Sequence, residues 1–198
     1  MQNRFAIPLR YNIKEKHAGS HLSAAQHVAV DWAKVDDYHA ILDLDCANGN
    51  LLRHYMERFH LRACGISKSM EALHQADVDV LLHAEILKAD QHDIPWMKNS
   101  FDVVFLTKLI YKNCRCDQLM SEVHRVLKPG AQFVLVVPGS PLLNRLTHLL
   151  KTNQSSQFWD NPIHLMDRLN HNGFVDVSMR SSRLRYTTII AHKQESTS

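Results

Sequence analysis

The sequence predicts an α/β fold, with helices packed on both faces of a largely parallel sheet. Three observations predict it. Short apolar runs alternate along the chain with longer amphipathic segments. Ile41-Leu42-Asp43-Leu44 enters a short polar turn, and an amphipathic segment from about Leu51 to Phe59 leaves it, which is the strand–turn–helix of a βαβ unit. Phe101 to Leu106 is a continuous apolar run, as expected of a strand buried on both faces of a parallel sheet.

Taken in order, residues up to about Gly19 mix Pro8, charges and isolated apolar side chains and read as an arm. Ser20 or Ser23 is placed to cap a helix whose apolar positions Leu22, Ala25, Val28, Ala29, Trp32 and Val35 recur at helical spacing. The first strand and its turn follow. Such a turn aims backbone N–H groups and the positive end of a helix at whatever binds above the strand ends. Aspartate tolerates a left-handed backbone, so Asp45 is expected to fit the turn sterically. Leu61 to Ile66 reads as a second strand, Met70 to Ala76 as a short helix and Glu85 to Asp90 as a third strand. Leu119, Met120, Val123, Val126 and Leu127 share one face of a helix from Asp117 to Leu127. There Lys128 favours the helix C-terminus, Pro129 prevents continuation and Gly130 makes the turn into a fifth strand. Leu142 to Leu150 reads as helical, and Asn161 caps a helix that Pro162 starts and that runs to about His171. Phe174 to Met179 and Leu184 to Ala191 form a hairpin at one edge of the sheet.

At 198 residues the chain is expected to form one domain, residues 1–36 being arm and cap helix and 37–193 the core. Hydrophobic content of 45%, charged content of 22% and a net charge of +3 are ordinary for a globular protein and do not call for nucleic acid. No apolar run approaches the roughly 18 residues of a membrane span, and Met1 to Arg10 lacks the apolar centre of a signal peptide. Cys46, Cys64, Cys114 and Cys116 show no zinc-type pairing and are expected to be reduced, in the cytoplasm. Among the 14 histidines, His17 and His21 sit four apart, but no partner at metal-binding spacing completes a set. No metal is expected.

Four stretches in this order carry a resemblance. "ILDLDCANGN", "ACGISKSMEAL", "ADQHDIPWMKNSFDVV" and "EVHRVLKPG" resemble the motifs of class I S-adenosylmethionine (SAM)-dependent methyltransferases. The resemblance covers roughly Ala40 to Lys193 and implies a Rossmann-like sheet of seven strands, the last antiparallel. It implies SAM as cofactor, held at Asp43, Asp45, Ala47 and Gly49 of the first turn, Ser67 and Lys68 after the second strand, Asp90 and Gln91 after the third, and Leu106 ending the fourth. Asp90 stands where the family accepts a hydrogen bond from the adenine amino group, and Gln91 supplies backbone beside it. Three positions depart from the pattern. Asp45 and Ala47 replace the first two glycines of the acid-x-Gly-x-Gly-x-Gly turn, and Ser67 replaces the acid that pairs with the ribose hydroxyls. A serine makes one hydrogen bond where a carboxylate makes a charge-assisted pair, so weaker cofactor binding is expected. The family often places paired histidines after the fourth strand. Tyr111 and Lys112 stand there, and no catalytic residue is assigned. Near its N-terminus such families often carry a helix that also covers the site. A dinucleotide oxidoreductase is disfavoured, since "DLDCANGN" lacks GxGxxG spacing.

The implied activity is methyl transfer from SAM to a small-molecule acceptor. "GISKS" and "VVPGSPLLNRLTHLL" are similar to ribosomal-RNA guanine methyltransferases, but the cysteine-rich zinc segment of those enzymes is missing. RNA is therefore the second acceptor reading, and Arg180, Arg183 and Arg185 read first as solvated surface. Another class is a methyltransferase-fold binding or regulatory protein with weak or no SAM affinity, motivated by Asp45, Ala47 and Ser67. No membrane partner is expected, and the sequence leaves the oligomeric state open.

Overall fold

The computed structural model describes residues 22–68, 71, 76, 78–107, 115–138, 162–182 and 186–195. Strands β1 (Ala40–Asp43), β2 (Arg62–Ser67), β3 (Glu85–Lys88), β4 (Phe101–Leu106), β5 (Leu127–Pro138), β6 (Phe174–Ser182) and β7 (Tyr186–Lys193) form one sheet. Its order is β3-β2-β1-β4-β5-β7-β6. Neighbouring strands are parallel from β3 through β5, and β7 runs antiparallel to both β5 and β6. This is the seven-stranded sheet with an antiparallel last strand that the resemblance implies.

The described helices are α1 (Ala24–Val30), α2 (Asn50–Met56), α3 (Val78–His83), α4 (Cys116–Val126) and α5 (Pro162–His171). Ser23 caps α1 in a reciprocal box, its Oγ accepting from the Gln26 N–H at 3.3 Å while Gln26 Oε1 accepts from the Ser23 N–H at 2.9 Å. Successive strand residues face opposite sides of the sheet. In β5, Phe133, Leu135 and Val137 pack with Leu119, Met120 and Val123 of α4 and Leu165 and Leu169 of α5. Val134 and Val136 face the other way, into the cluster of Ala29, Leu51, Leu52 and Tyr55 from α1 and α2. Burial on both sides explains why these strands read as unbroken apolar runs.

Several boundaries move. The strand expected over Glu85 to Asp90 stops at Lys88, because Asp90 closes a turn in which its carbonyl accepts the Asp93 N–H at 3.0 Å. Lys128 does not serve the end of α4. Leu127 is already extended (φ −69°, ψ 140°), and Lys128 Nζ reaches Asp102 Oδ2 at 2.7 Å. The same oxygen accepts the Ala40 N–H at 2.8 Å, so one carboxylate in β4 ties the starts of β1 and β5 together. Cys46 and Cys64 are buried thiols outside any disulfide, whereas Cys116 is disulfide-bonded, a departure from the fully reduced set expected. The arm, Ser20, His17 and His21, Tyr111 and Lys112, the helix of Leu142 to Leu150, Asn161, Arg183 and Arg185 lie outside the described residues, as does most of the helix expected over Met70 to Ala76.

Tyr55 on α2 stacks on Phe105 at 5.3 Å between ring centroids and is 3% exposed. Its hydroxyl is buried with no hydrogen-bond partner among the described residues, and burial pushes the phenol's pKa upward. A buried polar group without a partner costs stability. Tyr55→Phe is therefore expected to be neutral or stabilising by up to about 1 kcal/mol in chemical denaturation. A clear loss of stability would show that the hydroxyl has a partner.

Candidate functional site

The strand order reverses between β1 and β4, the chain passing outward from β1 to β2 and β3 on one side and to β4 and β5 on the other. At such a switch point the connections leave in opposite directions and open a crevice at the carboxyl ends of the strands. The candidate site is built there.

Asp43 ends β1 fully buried, between Gly65 of β2 and Phe105 of β4. Its Oδ1 accepts the Asp45 N–H at 3.3 Å, which fixes the start of the turn. Cys46 then drops under the sheet end. Its N–H donates to Ile66 O at 3.0 Å, and the Gly49 N–H donates to Cys46 O at 2.7 Å. A Cβ on Gly65 would stand 2.8 Å from Cys46 Sγ, so the absence of a side chain in β2 makes room for the turn. The left-handed positions are Ala47 (φ 46°) and Gly49 (φ 77°). Asp45 is not one of them, which corrects the expectation that aspartate takes the unusual backbone here. The reason is local: the Asp45 N–H is held by Asp43 Oδ1 in the first part of the turn, and the left-handed residues come two and four positions later.

Alanine in this conformation costs about 1–2 kcal/mol, more than the entropy that glycine adds to the unfolded chain. Ala47→Gly is therefore expected to raise stability by about 0.5 kcal/mol, read as a rise in Tm. A lower Tm would mean that the methyl group makes packing contacts that outweigh the strain.

Ser67 closes β2 at 2% exposure, aligned with Lys88 of β3, and Lys68 follows it exposed at the surface. Asp90 stands just past the end of β3 with its side chain 49% exposed. Its Oδ1 accepts the His92 N–H at 2.9 Å and lies 2.6 Å from His92 Nδ1. The His92 backbone and ring hydrogen bonds, with a smaller contribution from the nearby Lys68 charge, hold the Asp90 carboxyl below its ordinary pKa. Gln91 is partly buried in the same turn. Leu106 is 2% exposed and packs in the α4–α5 core, so its side chain belongs to the hydrophobic interior. Thr107, next along, is a buried polar residue at the end of β4, 7% exposed, and nothing in the apolar run before it marked it.

The structure thus gathers Asp43, Asp45, Ala47, Gly49, Ser67, Lys68, Asp90 and Gln91 at one edge of the sheet, from three adjacent strands. A cavity of about 500 Å³ lies to one side of this edge, lined by Asp90, His92, Asp93, Arg115, Gln118, Ser121 and Glu122. Only Asp90 belongs both to the cavity and to the set expected from sequence. No group of three or more metal-ligating side chains comes together among the described residues, and none of the described helices is long and apolar enough to cross a membrane.

A family model described as a methyltransferase domain matches residues 41–130. An uncharacterized methyltransferase of Synechocystis sp. is 31% identical over 98 residues, which cover 48% of this chain and 45% of that protein. The mitochondrial 2-methoxy-6-polyprenyl-1,4-benzoquinol methylase of Mus musculus is 33% identical over 88 residues, covering 43% of this chain and 25% of the mouse protein. The matched stretch therefore spans less than half the length of either relative. Among solved structures, the cyclase SpnF superposes with a TM-score of 0.68 over 86% of this chain and 80% of its own, at 15% identity. Identity that low speaks to fold alone.

Proposed function

We propose that this chain, whose residues 41–130 match a methyltransferase-domain model, is a class I SAM-dependent methyltransferase that transfers a methyl group from SAM to a small-molecule acceptor. The observation that carries the proposal is the gathering of the β1 turn, Ser67, Lys68 and the half-exposed Asp90 at the carboxyl ends of adjacent parallel strands. When bound, SAM supplies an activated methyl group on its sulfonium. Asp90 fits one end of the cofactor, since its Oδ2 makes no hydrogen bond among the described residues and suits an amino donor. The β1 turn fits the other end, with Asp43 shaping it from below. The ribose end fits less well: Ser67 is nearly buried and offers no carboxylate. The chain's own contribution to rate is to orient donor and acceptor and to exclude water.

A small acceptor is supported by the benzoquinol methylase that the chain resembles over 88 residues. An RNA acceptor draws less support from the surface, because Arg180 lies over the Trp32 ring at 5.4 Å. The cytoplasm expected from the cysteine set draws less support, because Cys116 is disulfide-bonded. One observation favours a second reading, a binding protein with little SAM affinity: the nearly buried serine at the ribose position.

Calorimetric titration with SAM and with S-adenosylhomocysteine separates the two. Dissociation constants from micromolar to about millimolar are expected for the enzyme. No heat and no thermal stabilisation at millimolar ligand would establish the second reading. In the same assay, Asp45→Gly combined with Ala47→Gly is expected to tighten SAM binding about tenfold, about 1.4 kcal/mol, by removing a negative charge and a methyl group beside the cofactor tail. Weaker binding would instead put Asp45 in contact with the tail's ammonium group.

A further inference from the structure

His92 has no part in the fold that its burial would suggest. Its side chain is only 10% exposed, yet it lies in a surface turn and pairs with a carboxylate that is half open to solvent. Both ends of the turn are held. The Asp93 N–H donates to Asp90 O at 3.0 Å, and Gln118 Nε2 of α4 donates to His92 O at 3.0 Å. The ring therefore has a fixed position beside Asp90.

Its protonation pattern follows from its partners. An ionised carboxylate only accepts hydrogen bonds, so Nδ1 must carry the proton that spans 2.6 Å to Asp90 Oδ1. Nε2 is buried with no hydrogen-bond partner among the described residues, a place where a bare lone pair is cheaper than an N–H. Oδ1 thus receives two donors from His92, the backbone N–H and the ring. Oδ2 is left as the one oxygen Asp90 can offer a ligand.

We infer that His92 is a positioning residue that sets cofactor base specificity: it holds Asp90 as an ionised, single-oxygen acceptor, so that the bound base must present an amino donor and a 6-oxo base is refused. The inference rests on the proposed function, which places the adenine edge at Asp90. The chemistry is asymmetric. A 6-amino group donates to Oδ2, whereas a 6-oxo group brings a second acceptor against it, and the base must shift to bring its N1–H to the carboxylate.

The test compares S-adenosylhomocysteine with S-inosylhomocysteine, its 6-oxo counterpart, by calorimetry on the full chain. The parent is expected to prefer the adenosyl ligand by about thirtyfold or more, the span of a charged hydrogen bond. His92→Phe keeps the ring volume and removes the ring donor, and is expected to cut that preference at least about fivefold. His92→Asn, whose amide nitrogen falls near the Nδ1 position, is expected to restore it. A residue that merely supported the turn would weaken both ligands alike and leave their ratio unchanged. An unchanged ratio in His92→Phe overturns the inference while leaving the proposed function standing. So does a parent that binds both ligands equally, a result that needs no variant to fold. A parent that binds neither ligand overturns the proposed function itself, and this inference with it.

Discussion

Arg125→Ala is expected to destabilise the fold by about 2–3 kcal/mol in urea denaturation, because it unties α4 from the loop that carries Asp90. The guanidinium donates to Trp96 O at 2.7 Å and Ile94 O at 2.8 Å, and meets Glu122 Oε1 and Oε2 at 2.8 Å each. Glu122 Oε2 also accepts the Ile94 N–H at 2.8 Å. One ion pair therefore satisfies three backbone groups of a loop whose Ile94 and Trp96 are buried against Phe101 and the α4 core. Hydrogen bonds to charged groups are worth about 1.5–3 kcal/mol each when buried, and the partial exposure of both side chains brings the sum down. Glu122→Ala should cost a similar amount. The double variant should lose far less than the two losses added, since either single change breaks the same network.

The pair also has a pH signature. The Arg125 hydrogen bond holds the Glu122 carboxyl below its ordinary range. Its contribution is fully present above the unfolded carboxylate's pKa and is lost as pH falls through the lower, folded value. The gap in stability between parent and Arg125→Ala should accordingly narrow in acid. A gap that stays constant with pH would mean that Arg125 acts through packing alone.

Gly49→Ala is expected to cost about 3 kcal/mol. Two effects add: a left-handed backbone at φ 77°, worth about 1–2 kcal/mol against alanine, and a Cβ that would stand 2.5 Å from Val80 Cγ1 of α3, an overpacking worth about 1–3 kcal/mol. Val80→Ala in the same chain should recover the steric part and leave the backbone part. A single Gly49→Ala variant as stable as the parent would show that α3 can slide away from the turn at little cost.

Much of this was legible in the sequence. β4 and α5 have the bounds read from their residues, because a continuous apolar run and a proline at a helix start are local signals. That Asp43 and Ser67 end β1 and β2 and that Asp90 follows β3 was legible too, through motif order rather than any one motif. What escaped has a common cause. Lys128 finds Asp102 and Arg125 finds Ile94 across 26 and 31 residues, and no local spacing announces such partners. The "IPW" and "EVHR" stretches read as separate markers, yet they are two halves of one clamp. At Ala47 the failure was different. Side-chain propensity pointed to Asp45, and the hydrogen bond from its N–H to Asp43 decided otherwise. The Asp90–His92 pair is only two residues apart, but a histidine in a polar loop looks the same whether its ring is buried or solvated.

β7 lies between β5 and β6, though β6 precedes it in the chain. During synthesis, then, β6 emerges with no neighbour to join: the edge of β5 is reserved for a strand not yet made, and Pro138 meets its partner Tyr186 only after the intervening chain has been released. A nascent chain stopped after Ser182 would carry the long, apolar rim of β5 uncovered, open to a chaperone or to another unfinished copy. Insertion of the hairpin, with β7 against β5, is therefore expected to come late in folding, the β5 edge staying open to other chains until it does.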